Sequence, residues 1–219
     1  MGKMPVITID GPAGAGKSTV AKQTAEKLGI PYLDSGAIYR AITWYMLRAG
    51  IPAEESSALE AALGGMFFEI KQGVIFVNGK NLSKEIRTAE IDKNVSAYSA
   101  LKIVRDSILG IQRAQAKNGL VADGRDMGTT VYPNADLKIF LTASAEERSK
   151  RRYEERMAKG ESADYNAILE QVLARDKYDT NREVSPLKPA DDCVVIDSTQ
   201  MSAEQVVSEI VRLAENVAR

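Results

Sequence analysis

Residues Gly11-Pro12-Ala13-Gly14-Ala15-Gly16-Lys17-Ser18 form an unbroken G-x-x-x-x-G-K-S motif near the start of the chain. The preceding residues, Val6-Ile7-Thr8-Ile9, are apolar and mostly β-branched, which is typical of a short buried strand. After the motif, small and apolar residues recur at helical spacing, and Gly29 provides a stop signal. Strand, glycine-rich loop and helix in this order form the context in which the motif binds phosphate. A tight glycine turn with an incidental lysine would not account for the whole arrangement.

The loop is predicted to hold a nucleoside triphosphate. Its glycines let backbone N–H groups converge on phosphate oxygens, and the start of the following helix adds partial positive charge. Lys17 is expected to reach the β- and γ-phosphates, and the Ser18 hydroxyl is expected to bind Mg²⁺. The candidate triphosphate-binding residues are Gly11, Pro12, Ala13, Gly14, Ala15, Gly16, Lys17, Ser18 and Thr19.

Length and composition set broad limits. A chain of 219 residues with 44% hydrophobic and 27% charged residues can form one α/β domain with a small insert. The net charge of −1 offers no general attraction for nucleic acid or an acidic membrane, and no apolar run approaches the ~20 residues of a membrane span. The single cysteine fits a reducing cytoplasm, and a monomer is the default expectation. Because the chain has no histidine, Ser-His catalysis and the usual zinc sites are excluded.

Strand and helix signals alternate along the chain, which predicts a parallel sheet with helices on both faces. Cys193 lies in the last apolar run and is expected to be buried in a strand. The expected core strands are residues 6–9, 32–33, 120–122, 137–141 and 193–196.

Roughly residues 60–90 interrupt this alternation. Two runs of β-branched and aromatic residues are followed by Asn78-Gly79, the strongest short hairpin signal. We interpret the segment as a small antiparallel β-meander inserted into the α/β core, so that residues 1–219 form a single domain.

The expected strand at residues 120–122 runs into an acidic turn, Asp123-Gly124-Arg125-Asp126. In doubly wound sheets, ligands bind at the carboxyl ends of the strands, where this turn falls. Asp123 occupies the position of an acid that holds Mg²⁺ or its water shell. Arg125 is suited to hold a phosphate, and Asp126 to accept a hydrogen bond from an amino group. The alternative is an ordinary Asp-Gly turn with a surface ion pair.

Two further stretches are expected to carry polar side chains to the same edge. Ser35 and Arg40 follow the strand at 32–33 in a helix-start signature. Farther along, an apolar helical stripe continues into Arg175, Asp179 and Arg182. Charges on an inward-facing stripe are unfavourable unless they meet a polar ligand or one another. The alternatives are a solvated Arg40 and a solvated end of the later helix.

A highly charged helix begins at the capping box Ser144-Ala145-Glu146-Glu147. Such a helix is usually a solvated face with ion pairs at i,i+4. It also matches a mobile, arginine-bearing lid at about residues 145–165, with a flexible tip at Lys159-Gly160. The candidate lid arginines are Arg148, Arg151, Arg152 and Arg156.

On these motifs, the chain resembles the cytidylate kinase family of the bacterial, long type, within the nucleoside monophosphate kinases. The resemblance runs nearly end to end, and the β-meander matches the long type. Its most specific segments are Leu33-Asp34-Ser35-Gly36-Ala37-Ile38-Tyr39-Arg40, Glu85-Ile86-Arg87-Thr88, Ala122-Asp123-Gly124-Arg125-Asp126-Met127-Gly128-Thr129 and residues 175–187. The resemblance implies a P-loop kinase fold, with a five-stranded parallel sheet in the order 2-3-1-4-5 flanked by helices. A small antiparallel β insert and a helical lid would complete this fold.

The resemblance also implies a reaction: Mg²⁺-assisted, in-line transfer of the γ-phosphoryl group of ATP to CMP or dCMP. In that case Ser18 would bind Mg²⁺, and Asp123 would do so directly or through water. The implied catalytic residues are Lys17, Arg125, Arg182 and Asp123. The implied CMP-binding residues are Arg40, Arg125, Arg175 and Arg182 for the phosphate, Ser35 beside them, Asp179 for the sugar, and Ser96, Arg105 and Asp126 for cytosine.

Other functions stay open on the residues alone. A regulatory GTPase or motor ATPase would use the same loop, although the sequence lacks an Asn-Lys-x-Asp guanine-reading motif. A kinase for a sugar or shikimate-like hydroxyl would need an acidic base, for which Asp34 or Asp126 could serve. A non-catalytic nucleotide-binding module would leave the arginines without a role.

Overall fold

The computed structural model describes residues 4–71 and 73–217 of the chain. The strands are β1 (Val6–Asp10), β2 (Tyr32–Asp34), β3 (Phe68–Lys71), β4 (Val74–Val77), β5 (Lys80–Asn81), β6 (Leu120–Gly124), β7 (Leu137–Thr142) and β8 (Val194–Asp197). The helices are α1 (Lys17–Leu28), α2 (Ser35–Arg48), α3 (Ser57–Gly64), α4 (Ala89–Ala100), α5 (Lys102–Arg113), α6 (Ala145–Ala158), α7 (Tyr165–Asn181) and α8 (Ala203–Val217). A 3₁₀ turn (Ala114–Ala116) precedes β6, and a π-helical turn (Met127–Val131) follows it.

Five parallel strands form the main sheet, in the order β2-β6-β1-β7-β8. Counted along the chain within this sheet, the order is 2-3-1-4-5, which confirms the prediction. The register brings the carboxyl ends of the strands together. Asp34 of β2 lies opposite Asp123 of β6, and Asp10 of β1 lies opposite Gly124. Acidic side chains therefore meet at the edge where a parallel α/β sheet binds its ligands.

Apolar side chains cover both faces of the sheet. On one face, Val20 of α1 and Val207 of α8 share a buried cluster with Ile7 of β1. On the other, Ile42 of α2 belongs to a second buried cluster with Leu120 of β6. Full burial of a side chain of this size stabilises the fold by about 1.5–3 kcal/mol. The two layers thus hold the strand ends in a fixed frame.

The last strand is less buried than its apolar sequence predicts. β8 lies at the edge of the sheet, and the side chains of Val194 and Val195 are exposed. Cys193 precedes the strand and is half-buried, so its expected burial within a strand is wrong. Because β8 is paired on one side only, its neighbours cover fewer of its side chains.

The interruption at residues 60–90 contains a separate antiparallel sheet of β3, β4 and β5. Asn78 and Gly79 have φ angles of 49° and 77°, and a type I′ hairpin requires two such left-handed residues. Ile75 and Val77 of β4 are buried in the cluster that contains α2. The insert therefore extends the core beside α2. That the whole chain forms one domain stays a prediction.

The candidate lid segment, about residues 145–165, consists of α6, the loop that follows it and the first residue of α7. The two helices pack against each other, and Tyr153 meets Tyr165 edge to face. The backbone N–H of Glu147 donates to the hydroxyl of Ser144 at 3.1 Å, which confirms the predicted start of α6. Gly160 in the loop has a φ of 75°.

The turn after β1 requires a residue without a side chain at position 11. Gly11 has a φ of 151°, and a Cβ atom placed there would lie 1.9 Å from the carbonyl oxygen of Leu141. Because that oxygen belongs to the backbone of β7, it has no room to move aside. The close approach of the loop to β7 thus depends on Gly11.

We expect Gly11→Ala to lower the free energy of unfolding by about 3 kcal/mol or more, through this clash and the strained φ angle. Urea denaturation measures the change. Gly110→Ala is the matched control, because a Cβ there meets nothing within 4 Å, and alanine in a helix gains about 0.5–1 kcal/mol over glycine. Equal stability of Gly11→Ala and the parent chain would contradict the expectation.

Candidate active site

The phosphate-binding motif forms the connection between β1 and α1. Gly16 has a φ of 86°, and α1 begins at Lys17. The side chain of Lys17 is buried, and its Nζ donates to the carbonyl oxygen of Pro12 at 2.7 Å. Burial and the nearby charge of Arg125 lower the pKa of Lys17. The lysine thus lies across the loop, where an anionic ligand would offset its burial.

Ser18 and Asp123 lie together beside the loop. The hydroxyl of Ser18 donates to Oδ2 of Asp123 at 2.9 Å, and the hydroxyl of Tyr32 donates to Oδ1 at 2.8 Å. Burial, followed by the charge of Asp34, raises the pKa of Asp123 to about 7 against the opposing effect of Lys17. A buried carboxylate that lies close to another negative charge is suited to bind a cation.

The donor set fits Mg²⁺ and does not form a complete protein cage. Within residues 4–71 and 73–217, no group of three or more acidic, cysteine or histidine side chains converges as a metal site. One hydroxyl, Ser18, and one carboxylate, Asp123, are nevertheless within hydrogen-bond distance of each other. Mg²⁺ is commonly held by one or two protein oxygens together with substrate phosphates and waters. These two residues are suited to that role.

Asp10 holds the turn after β6 in place. Its Oδ1 accepts from the backbone N–H of Met127 at 2.8 Å, and its Oδ2 accepts from that of Gly128 at 2.7 Å. Burial raises the pKa of Asp10 to about 6, although both hydrogen bonds oppose the shift. Asp10 was not among the residues predicted to form the site. Its position directly after the apolar residues of β1 was the available signal.

Two connected crevices open at this edge of the sheet. The first, which we call the loop crevice, has a volume of about 730 Å³ and is bounded by the loop, α6 and the start of α8. The second, the arginine crevice, has a volume of about 200 Å³ and is bounded by the loop, α2, the turn after β6 and the end of α7. Six residues line both crevices: Gly14, Lys17, Ser18, Arg40, Arg87 and Arg152. A larger open groove of about 1520 Å³ between α3, α5 and α7 includes none of these six.

Most residues that the resemblance assigned to CMP line the arginine crevice. They are Ser35, Arg40, Arg105, Arg125, Asp126, Arg175, Asp179 and Arg182. Ser96 is half-buried on α4 and is not among the lining residues. Ser99 lines the crevice instead, and its hydroxyl donates to the carbonyl oxygen of Ser96 at 3.1 Å.

Arg105 and Asp126 form a buried ion pair at the inner end of the arginine crevice. Nη1 of Arg105 also donates to the carbonyl oxygen of Ser99 at 2.7 Å, and its guanidinium lies 5.3 Å from the ring centroid of Tyr39. Burial lowers the pKa of Arg105, but Asp126 outweighs this effect and the net shift is upward. Fixed donors and acceptors here can select a ligand by its hydrogen-bonding pattern.

Asp179 lies between two arginines. Its Oδ2 accepts from Nε of Arg125 at 3.0 Å and lies 3.8 Å from Nε of Arg175. Burial raises the pKa of Asp179, but the two arginines outweigh it and hold the pKa below its usual value. Arg182 follows on the next turn, and its Nε donates to the carbonyl oxygen of Ser185 at 2.7 Å. The buried Nη2 of Arg182 has no hydrogen-bond partner within the described part of the chain.

The candidate lid arginines fall into two groups. Arg151, Arg152 and Arg156 line the loop crevice, as a lid would require. Arg148 does not line either crevice and is buried at the base of α6. It donates to the carbonyl oxygens of Ala143 and Ala13, and pairs with Asp176 at 2.7 Å. The structure therefore corrects the expectation for Arg148, because its contacts tie α6 to the loop and to α7.

Arg87 and Asp92 also line these crevices, although no role was predicted for either from the sequence. Arg87 lines both crevices and pairs with Asp34 at 2.9 Å. Asp92 lines the loop crevice and pairs with Arg40 and Arg152. Arg87 lies in one of the segments that carry the family resemblance, whereas Asp92 lies in none of them and is distinguished by its position in the fold.

The family model described as cytidylate kinase matches residues 7–216. The chain belongs to the cytidylate kinase family. The cytidylate kinase of Exiguobacterium sp. is 46% identical over 222 residues, with 99% of each chain covered. That of Pseudomonas aeruginosa is 47% identical over 221 residues, covering 98% of this chain and 96% of the relative. The family match thus includes both crevices, the β insert and the candidate lid segment.

A solved structure supports the fold alone. An uncharacterized protein from Eubacterium ventriosum aligns with a TM-score of 0.54 at 16% sequence identity, covering 98% of this chain and 99% of that chain.

Arg148 and Arg156 provide a test of the two groups of lid arginines. Arg148→Gln is expected to lower the free energy of unfolding by about 2–4 kcal/mol, because Asp176 and two carbonyl oxygens lose a charged donor. Arg156→Gln is expected to change it by less than about 0.5 kcal/mol, because Arg156 is half-exposed. Urea denaturation of both variants measures the difference. Equal effects would show that Arg148 has no special structural role.

Asp123 makes the stability of the protein depend on pH. Because its native pKa of about 7 lies above the usual 3.8, the folded chain holds this proton more tightly than the unfolded chain. This contribution is present below about pH 4 and is lost as the pH rises to about 7. The asparagine of Asp123→Asn cannot ionise, so this variant does not lose that contribution. The melting temperature of the variant minus that of the parent chain should therefore be larger at pH 8 than at pH 5.

Thermal unfolding without nucleotide and with a chelator measures this difference. Asp106→Asn, which removes an exposed carboxylate of α5, is the control and should show no comparable change. If the melting temperatures of Asp123→Asn and the parent chain differ by the same amount at pH 5 and at pH 8, the pKa of Asp123 is not raised.

Proposed function

We propose that this chain transfers the γ-phosphoryl group of ATP to CMP or dCMP, giving ADP and CDP or dCDP. The observation that carries the proposal is the continuity of the two crevices. Lys17, Arg40 and Arg152 line both of them, so cationic groups stand where two phosphate chains would meet. Its relatives in the family carry the name cytidylate kinase and match nearly the full length of the chain.

In this proposal the loop crevice binds ATP. The loop N–H groups and Lys17 hold the β- and γ-phosphates. Ser198, which lines the same crevice, would lie near the adenine. Ser18 and Asp123 would hold Mg²⁺, which offsets phosphate charge when it is bound. Tyr32 keeps the Asp123 carboxylate oriented through its hydrogen bond. ATP is a co-substrate, and Mg²⁺ is the cofactor.

The arginine crevice binds the acceptor nucleotide. Arg40, Arg125 and Arg182 hold its phosphate, with Arg175 in the same cluster, while Ser35 supports that end and Asp179 is available to the sugar. The acceptor is a phosphate oxygen, which is deprotonated near neutral pH. No general base is therefore needed, in agreement with a chain that has no histidine. The main barrier is repulsion between two anions, which the guanidinium groups offset.

Cytosine is selected by the inner end of the arginine crevice. Its amino group is a donor where uracil has a carbonyl acceptor, and the Asp126 carboxylate accepts hydrogen bonds. Arg105, already paired with Asp126, presents donors to the ring carbonyl and nitrogen of the base. We keep Ser96 as a candidate contact and add Ser99, which lines the crevice. Uracil would place its carbonyl against a buried carboxylate, which is unfavourable.

The candidate lid arginines would exclude water from the reaction. Arg151, Arg152 and Arg156 line the loop crevice and would approach the phosphates as the segment 145–165 closes. We further propose a cytoplasmic monomer composed of one kinase domain, with no nucleic-acid or membrane partner. In the described part of the chain, no helix is long and apolar enough to cross a membrane.

A panel of phosphate acceptors with labelled ATP tests the function. CMP and dCMP should be phosphorylated much faster than UMP, sugars or shikimate. Lys17→Ala supplies the blank, because it lacks the lysine that holds the donor phosphates. If ATP is hydrolysed at the same rate with and without an acceptor, the result favours a motor ATPase. If an acceptor with a hydroxyl group is preferred, the result favours a small-metabolite kinase.

Asp126→Asn tests the assignment of base selectivity. An amide N–H can donate to the uracil carbonyl, so the ratio of kcat/KM for CMP to that for UMP should fall by roughly 10- to 100-fold. Asp106→Asn, outside the arginine crevice, is the control and should keep the parental ratio. An unchanged ratio in a folded Asp126→Asn variant would remove Asp126 from base recognition.

A further inference from the structure

Asp92 links the two crevices through a shared carboxylate. Its Oδ1 lies 2.5 Å from Nη1 of Arg40, and its Oδ2 accepts from Nη2 of Arg152 at 3.0 Å. Arg40 projects from α2, Asp92 from the first turn of α4, and Arg152 from α6. One carboxylate therefore joins an acceptor-side arginine to an arginine of the candidate lid.

The surroundings of Asp92 favour its ionised form. The side chain of Thr88 accepts from the N–H of Ile91 and caps α4, and an acid in the first turn interacts favourably with the helix dipole. Burial raises the pKa of Asp92, but Arg40, Arg152 and Arg175 outweigh this and hold the pKa below its usual value. Asp92 is thus a carboxylate held among cations.

The two guanidinium groups would repel each other without this charge. Arg40 and Arg152 both line both crevices, so they stand at the junction of the two phosphate sites. A carboxylate that accepts from both groups fixes the distance between them and limits the orientations of each. Both side chains of the lid-side ion pair are only partly exposed, at 20% for Arg152 and 29% for Asp92, so water screens this pair less than it would a surface pair.

We propose that Asp92 is a positioning residue for phosphoryl transfer, holding Arg40 and Arg152 side by side at the junction of the two nucleotide sites. This inference rests on the proposed function. Asp92 itself need not touch either nucleotide. It acts by keeping the lid arginine aligned with the acceptor-side arginine, so that both are placed where charge spreads in the transition state.

The role predicts a particular kinetic pattern. In Asp92→Asn, kcat for CMP should fall roughly tenfold, because two interdependent arginines lose their alignment. KM for ATP should stay within about twofold, since the loop and Lys17 carry donor binding. Asp92→Glu keeps the charge and should recover most of kcat. Glu90→Gln is the matched control, because it removes an exposed acid from the first turn of the same helix and should keep the parental kcat.

A double-mutant cycle with Arg152→Gln is the deciding experiment. If Asp92 acts through Arg152, then Asp92→Asn should change kcat by less than about twofold in the Arg152→Gln background. The inference would be overturned if the two substitutions lowered kcat independently, so that their effects multiply. It would also be overturned if Asp92→Asn had the same kcat as Glu90→Gln. An Asp92→Glu variant no better than Asp92→Asn would also overturn it.

The same measurements separate this inference from the function on which it rests. A parent chain that does not phosphorylate CMP would refute the proposed function and the role of Asp92 with it. If the parent chain phosphorylates CMP but the double-mutant cycle shows no coupling between Asp92 and Arg152, only the positioning role is refuted. Melting temperatures of all variants distinguish lost folding from lost alignment, and Asp92→Glu carries the test if Asp92→Asn does not fold.

Discussion

Repulsion between like charges is the constraint on which this site depends. Seven arginines and Lys17 line the arginine crevice, a space of about 200 Å³. Guanidinium groups so close together in a partly dry setting would drive each other apart. Four carboxylates prevent this. Asp34 pairs with Arg87 and Asp126 with Arg105, while Asp92 and Asp179 each lie between two arginines.

This arrangement of charges makes the site suitable for anions before any anion binds. Five of the seven arginines (Arg40, Arg87, Arg105, Arg125 and Arg152) are held by a carboxylate on another element, so their directions are set by the fold as well as by their own rotamers. The carboxyl ends of the parallel strands supply a second set of acids. Asp10 and Asp123 both have raised pKa values. Asp10 holds the turn after β6, and Asp123 accepts a hydrogen bond from Ser18 beside the loop. Shifted pKa values and clustered cations thus coincide with the site, as is common in enzymes.

The sequence predicted the architecture, and most of the site residues that the resemblance implied lie together in the structure. The phosphate loop and the Asn78-Gly79 hairpin were predicted because each follows from short stretches of backbone preference. The order of the five strands was implied by the family resemblance. The inward stripe that ends in Arg175, Asp179 and Arg182 was likewise read from helical spacing. The prediction was less successful where burial depends on neighbours. Cys193 was expected to be buried, but it precedes an edge strand that is paired on one side only.

Side-chain partners were the part that the sequence could not supply. Arg148 has the same spacing as Arg152, yet it is buried against the loop and α7, whereas Arg152 reaches the junction of the crevices. Tyr32 and Asp123 are 91 residues apart, and Asp92 and Arg152 are 60 residues apart.

By itself the sequence determined that a strand, a glycine loop and a helix would follow one another within an α/β fold, because local backbone geometry and periodicity specify those elements. Only the tertiary structure decided which acid meets which arginine. Such pairs form when distant elements pack together and remove water from between them, and no local pattern records that outcome.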